Sequence, residues 1–273
     1  MPARRLLPPL RHSVFARALH EQRRALAGWC AGLAVYSALM LLLLPTVRGN
    51  QGIKDLLDTY PKAFRSMFSV SDFTTGTGYL RGEIFSVMAP LLIVVLAVLW
   101  GSDVTAGEED RGTIDILLAN PISRRRVVIE KWAAVVFGSA LVSAVLLAVF
   151  VAGGPLVRLQ VAAGDLFAAV VSTALLGAVF GTLALAIAAA TGRRGLARGV
   201  SAALVVASYL VSSLADLVPW LGKIQPLSPW YHAMGVDPLT RGLSWHLLVL
   251  VGLTAALAAV SVVTFERRDL AVS

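Results

Sequence analysis

Residues able to do chemistry are sparse in this chain, and the one stretch where they gather in an ordered way is 101–131. There Glu108, Glu109 and Asp110 precede Gly112 and Thr113, after which Ile114, Ile116, Leu117 and Leu118 recur as one side of a short amphipathic helix. Carboxylates just ahead of a helix favour its positive end. Asn120-Pro121 reads as an N-cap followed by proline at the first helical position. The helix it opens carries Arg124, Arg125, Arg126 and Lys131 straight into an apolar run. This arrangement serves recognition rather than bond-breaking: a short helix held crosswise between two long ones presents Ile and Leu to a groove on a soluble partner. The same residues also read as a solvated charged loop whose basic side chains only set membrane topology.

Catalytic and metal-binding patterns are missing from the rest of the sequence. Cys30 is the single cysteine, and His12, His20, His232 and His246 do not fall at metal-ligand spacing. The chain contains no H-E-x-x-H, no G-x-S-x-G and no G-x-x-x-x-G-K-[ST]. It cannot cleave ATP by the phosphate-cradling loop, so any ATP-driven work needs another polypeptide. Asp216 is the one charge placed within an expected span, near its outer end beside Pro219 and Trp220, where it suits interfacial anchoring. The spans hold no chain of carboxylates for a proton or sodium relay, no arginine ladder and no channel-filter motif.

The elements that must position these residues are membrane helices. Hydrophobic residues make up 57% of the chain and charged ones 15%, against about 45–50% and about 25% in soluble domains. The excess lies in runs near twenty residues, each long enough at ~1.5 Å per residue for a hydrocarbon core of about 30 Å. The expected fold is an all-α integral membrane protein in one domain over 1–273. About six spans are expected, at 25–44, 84–100, 132–152, 166–190, 200–217 and 245–265. Residues 13–24 are expected to form a helix in the membrane interface, with Val14, Phe15, Ala18 and Leu19 on one side and Arg17, Glu21 and Arg24 on another. The first span exceeds a signal-peptide core and no small-residue cleavage site follows it. An outer loop over 45–83 carries one or two short amphipathic helices, and 74–78 (Thr-Thr-Gly-Thr-Gly) reads as a loop. Pro90 should kink the second span. Gly28 with Gly32, and Gly177 with Gly181, place small residues one turn apart for close helix packing.

Of the 24 Lys and Arg residues, sixteen fall on the side that holds both termini and the 101–131 loop. The positive-inside rule therefore puts both ends and that loop in the cytoplasm. The net charge of +8 follows from this bias and does not call for nucleic acid as a partner. The short loop 191–199, with Arg193, Arg194 and Arg198, reads as topological.

The residue order of the loop is more specific than its physics. Gly107 to Arg124 follows G-E-x-x-x-G-T-x-x-x-L-L-x-x-P-x-S-R, with Lys131 just before the third span. Tyr60-Pro61, Gly78-Tyr79-Leu80 with Pro90, and Phe265 with Arg268-Asp269-Leu270 occur in the matching order. The set resembles the permease (transmembrane) subunits of type-2 ABC exporters over nearly the whole chain. The outer loop is longer than in the shortest relatives, so substrate contacts there do not transfer. The resemblance implies a permease that pairs with a second permease subunit, identical or similar, on two separate ABC ATP-binding subunits, in the cell membrane and without nucleic acid. It implies that about 111–119 is a coupling helix seated in the ATPase, with Glu108, Gly112, Thr113, Ile114, Leu117, Leu118, Pro121, Arg124 and Lys131 as the coupling residues. No cofactor is expected on this chain; ATP and magnesium belong to the partner ATPase. The segment between the last two spans is expected to fold partly back into the outer leaflet, with Trp220, Trp230 and Tyr231 at the interface. A non-transporting six-span partner or sensor that docks a cytoplasmic ATPase is the alternative function.

Overall fold

The computed structural model describes residues 13–61, 65, 74–104 and 123–268. Within them the chain is built from helices: α1 (Val14–Val47), α2 (Gln51–Asp58), α3 (Gly76–Tyr79), α4 (Met88–Asp103), α5 (Arg124–Gly153), α6 (Ala163–Thr191), α7 (Arg194–Leu214), α8 (Pro219–Ile224), α9 (Pro238–Arg241) and α10 (His246–Arg267). Six are long and apolar enough to cross a bilayer: α1, α3–α4 as one unit, α5, α6, α7 and α10. They alternate in direction, so α1, α5 and α7 start at one end of the bundle, where α4, α6 and α10 finish. We call this the near end and the opposite one the far end.

Capping residues set the boundaries. The Ser13 hydroxyl accepts from the Ala16 amide at 3.2 Å and opens α1. No breaker follows until Pro45, which removes an amide from the last turn, and the helix ends at Val47. Its 34 residues span about 51 Å, well beyond a hydrocarbon core. Segment 13–24 is thus helical but continuous with the first span rather than a helix of its own. Its apolar side rests partly on protein: Val14 packs on Val127, and the rings of Phe15 and Phe137 meet edge-on at 5.8 Å.

The run of threonine and glycine before the second span is a second departure. The Thr75 hydroxyl accepts from the Gly78 amide at 3.0 Å, so this stretch opens α3 instead of forming a loop. A π-helical segment, Leu80–Phe85, follows. The irregularity of this span lies at Ser86 and Val87, ahead of Pro90, because α4 starts at Met88. Pro90 then sits in the first turn, where a missing amide costs no helical hydrogen bond.

α6 is the central post. It is apolar on all sides and packs on α4, α5, α7 and α10. Close approach is set by glycine. A Cβ on Gly101 would lie 2.1 Å from the Gly181 carbonyl oxygen, so α4 and α6 touch backbone to backbone. Gly177 faces Ile93 in the same seam, and Gly138 of α5 accepts the Trp100 ring. Among the described residues nothing comes within 4 Å of a Cβ at Gly28 or Gly32, so that pair makes no such seam among them. α1 packs on the flank through α5. Val35, Leu42 and Leu248 stand outward on α1 and α10, a surface suited to lipid and not to water.

Between α7 and α10 the chain turns back into the bundle. Trp230 is 3% exposed and Ala233 and Leu239 are buried, whereas Trp220 is 62% exposed. Trp230 therefore anchors the hairpin inside the protein, edge-on to Tyr209 at 5.2 Å, and does not stand at the interface. Asp216 lies beyond the end of α7 and is exposed.

Candidate functional site

Every long helix end at the near end is tied to a neighbour, and most ties satisfy a helix terminus. Lys131 is only 2% exposed, and its ammonium donates to the carbonyl of Val104, the C-cap of α4. A cation there meets the negative end of the helix as well as an orphan carbonyl. Glu130, the next residue on α5, takes the opposite part for α1: its carboxylate accepts the Phe15 amide at 3.0 Å and pairs with Arg126 at 2.7 Å. A carboxylate at a helix N-terminus is favoured by the same field.

Two more ties close the ring. Asp103, at the end of α4, pairs with Arg194 at 3.3 Å and Arg198 at 3.1 Å, both on α7. Arg198 also donates to the hydroxyl of Ser102, which is fully buried. Arg268, past the end of α10, donates to the Ala189 carbonyl in the last turn of α6 at 3.4 Å. Its own carbonyl accepts from Arg124 at 3.0 Å. The Arg268 guanidinium lies over Gly192, whose φ of +66° and lack of a side chain are both required there.

Of the residues expected to couple, Arg124 and Lys131 belong to this ring. Glu108, Gly112, Thr113, Ile114, Leu117, Leu118 and Pro121 lie outside the described residues, as does the expected helix over about 111–119. Their segment is bracketed by Val104 and Ser123. Asn120 and Pro121 lie outside the described residues; within them Ser123 caps α5 in extended backbone and accepts from the Arg126 amide at 3.3 Å. Asp103, Glu130, Arg194, Arg198 and Arg268 were not singled out as ties, and the 191–199 loop does more than set topology. The i,i+4 spacing of Arg194 and Arg198 and the carboxylate ending the second span were visible signals; their pairing across about ninety residues was not.

The far end has a polar set of its own. Arg48 donates to the Val157 carbonyl at 3.4 Å, and Tyr36 donates to the Glu83 carbonyl at 2.7 Å. Arg81 pairs with Asp237, joining the head of the second span to the hairpin. Two of the histidines, scattered in sequence, meet there. His232 Nε2 faces the Pro226 carbonyl at 2.7 Å and so carries the proton, which leaves Nδ1 to accept from His246 Nδ1 at 2.8 Å. Among the described residues no three His, Cys, Asp or Glu side chains are grouped to hold a metal.

Fold and site together define a multi-pass membrane domain: six apolar crossings, one of them a central helix, locked at one end by charged ties. A family model described as ABC-2 family transporter protein matches residues 33–270, and the chain belongs to that family. It is a transport permease of the membrane. No curated protein matches the chain.

Proposed function

We propose that this chain is the membrane-spanning permease of an ATP-driven exporter whose ATP-binding subunit is a separate polypeptide, docked at the near end on the segment 105–122. The near end is the cytoplasmic one and both termini lie there. ATP and magnesium act on the partner, and a second permease subunit completes the pathway. The observation that carries this reading is the grip of Lys131 on Val104. The docking segment leaves α4 and enters α5 at two points held against each other by a buried side chain. A push on the segment from a closing ATPase dimer therefore enters α4 and α5 together. The seam of Gly101 and Gly181 hands it to α6. Motion of that block against the hairpin, latched through Arg81 and Asp237, would change access at the far end.

The test is co-expression with the ATPase encoded beside it. Co-purification and stimulation of ATP hydrolysis are expected. Gly112→Trp or Thr113→Trp should abolish the stimulation while membrane insertion stays normal. Unchanged ATPase activity on adding this chain, or full transport by those variants, would overturn the assignment. A complex that stimulates hydrolysis but drives no ATP-dependent accumulation in vesicles would make the chain a docking partner only.

A further inference from the structure

Between α7 and α10, both of which pack on α6, lies a cavity of about 360 Å³. Leu183 of α6 forms its floor, Leu204 and Ala207 of α7 one wall, and Leu253 and Leu257 of α10 the other. The hairpin closes it at the far end with Ile224 and Leu227, the latter 82% exposed. Leu253 and Leu257 stand about 10 and 16 Å below the far end of α10, which starts at His246, at ~1.5 Å per residue. With a hydrocarbon core about 30 Å thick, the cavity lies among the acyl chains of the far leaflet.

Chemistry and shape together select the occupant. The lining side chains are apolar apart from Ser208 and Ser228. Those two hydroxyls meet at 2.9 Å, Ser228 donates to the Ser208 carbonyl at 2.8 Å, and the amides of Trp230 and Tyr231 donate to them at 3.0 and 3.2 Å. Neither hydroxyl is left to recruit water or a polar solute. A helix of another chain is too wide: one turn, about 10 Å across and about 5.4 Å high, displaces about 420 Å³, more than the whole cavity. A slender hydrocarbon fits. A dry apolar cavity of about 150 Å³ takes the six carbons of benzene, so this one takes about fourteen. Lys223, exposed in the last turn of α8 beside Ile224, supplies a cation on the closing hairpin, where a phosphate joined to that hydrocarbon would stand. We infer that this cavity holds one acyl chain of a far-leaflet phospholipid, with the phosphate at Lys223. The inference does not draw on the coupling reading, and its assay contains no ATPase.

The test uses the full-length chain in vesicles of phosphatidylcholine and phosphatidylglycerol, with a trace of phosphatidylglycerol carrying a diazirine midway along one acyl chain. On irradiation, peptides holding Leu204, Ala207, Leu253 and Leu257 should be labelled severalfold more than the peptide holding Leu39, which is 51% exposed on α1 at a similar depth. Ala207→Trp fills the space and should cut the cavity label severalfold while leaving the Leu39 label unchanged. Ala207→Leu is the milder filler if the tryptophan disturbs folding. Lys223→Glu should also lower the cavity label, because the phosphate then meets a carboxylate. Equal labelling of the cavity and Leu39, or cavity labelling that survives both fillers, would leave bulk lipid as the only occupant and overturn the site. Full labelling of Lys223→Glu would overturn the phosphate contact. In a Cys30→Ser background, Ala207→Cys chains that oxidise to a disulfide-linked pair, without lipid labelling of the cavity, would give the groove to a second copy and overturn the inference.

Discussion

Lys131 shows how one residue can hold two helices at a stated cost. An ammonium 2% exposed forfeits much of its hydration, and its bond to the Val104 carbonyl offsets part of that loss. Lys131→Met keeps the apolar stem and strands the carbonyl, so stability should fall by about 1–3 kcal/mol. A lower melting temperature in detergent is the readout; an unchanged one would show that Lys131 does not cap α4. Glycine gives a sharper contrast. Gly101→Ala drives a methyl into the Gly181 backbone and should lose about 1–3 kcal/mol or more. Gly28→Ala meets nothing and should be neutral or gain up to about 1 kcal/mol from helix propensity. Sequence favours the other one: Gly28 has Gly32 one turn on inside an apolar run, whereas Gly101 stands just past the end of one. The crossing of α4 and α6 decides which is packed.

At the scale of elements, what sequence made visible and what it hid divide along a physical line. Apolar runs near twenty residues announce a crossing because the bilayer leaves the backbone no alternative to a helix. Helix starts are less legible. Ser123 caps α5 through the Arg126 amide, yet nothing in the local sequence marks it above Asn120-Pro121. The Arg194 and Arg198 pair was harder still, since its partner Asp103 is distant in sequence. These side chains are a quarter to two-fifths exposed, so each ion pair is screened and modest. Asp103→Asn should cost about 1 kcal/mol or less. Its effect should fade at high salt, which a melting series over ionic strength would read. Loss of stability independent of salt would assign Asp103 to packing alone.

For the whole molecule the proposed orientation, near end cytoplasmic, is read by labelling. Thr191 is exposed at the near end and Leu156 is 84% exposed at the far end. With Cys30→Ser as background, a membrane-impermeant maleimide should label Leu156→Cys in intact cells and Thr191→Cys only after permeabilisation. The reverse pattern would invert the bundle and move the docking segment outside. Membership of the ABC-2 family over 33–270 and the six crossings fix the kind of machine. The residues proposed for docking rest on the sequence, since seven of the nine, Glu108 to Pro121, lie outside the described residues.

The backbone contact of Gly101 with Gly181 also sets an order of disassembly. Lipid tails are as apolar as leucine, so helices in a bilayer cohere by dispersion at close range, and cohesion falls off steeply with separation. α4, α5 and α6 meet through glycine seams, while α1, α7 and α10 leave most of their surface outward. Harsh detergent should therefore strip α1, α7 and α10 first. A protease-resistant particle of α4–α6 would be the last part to come apart.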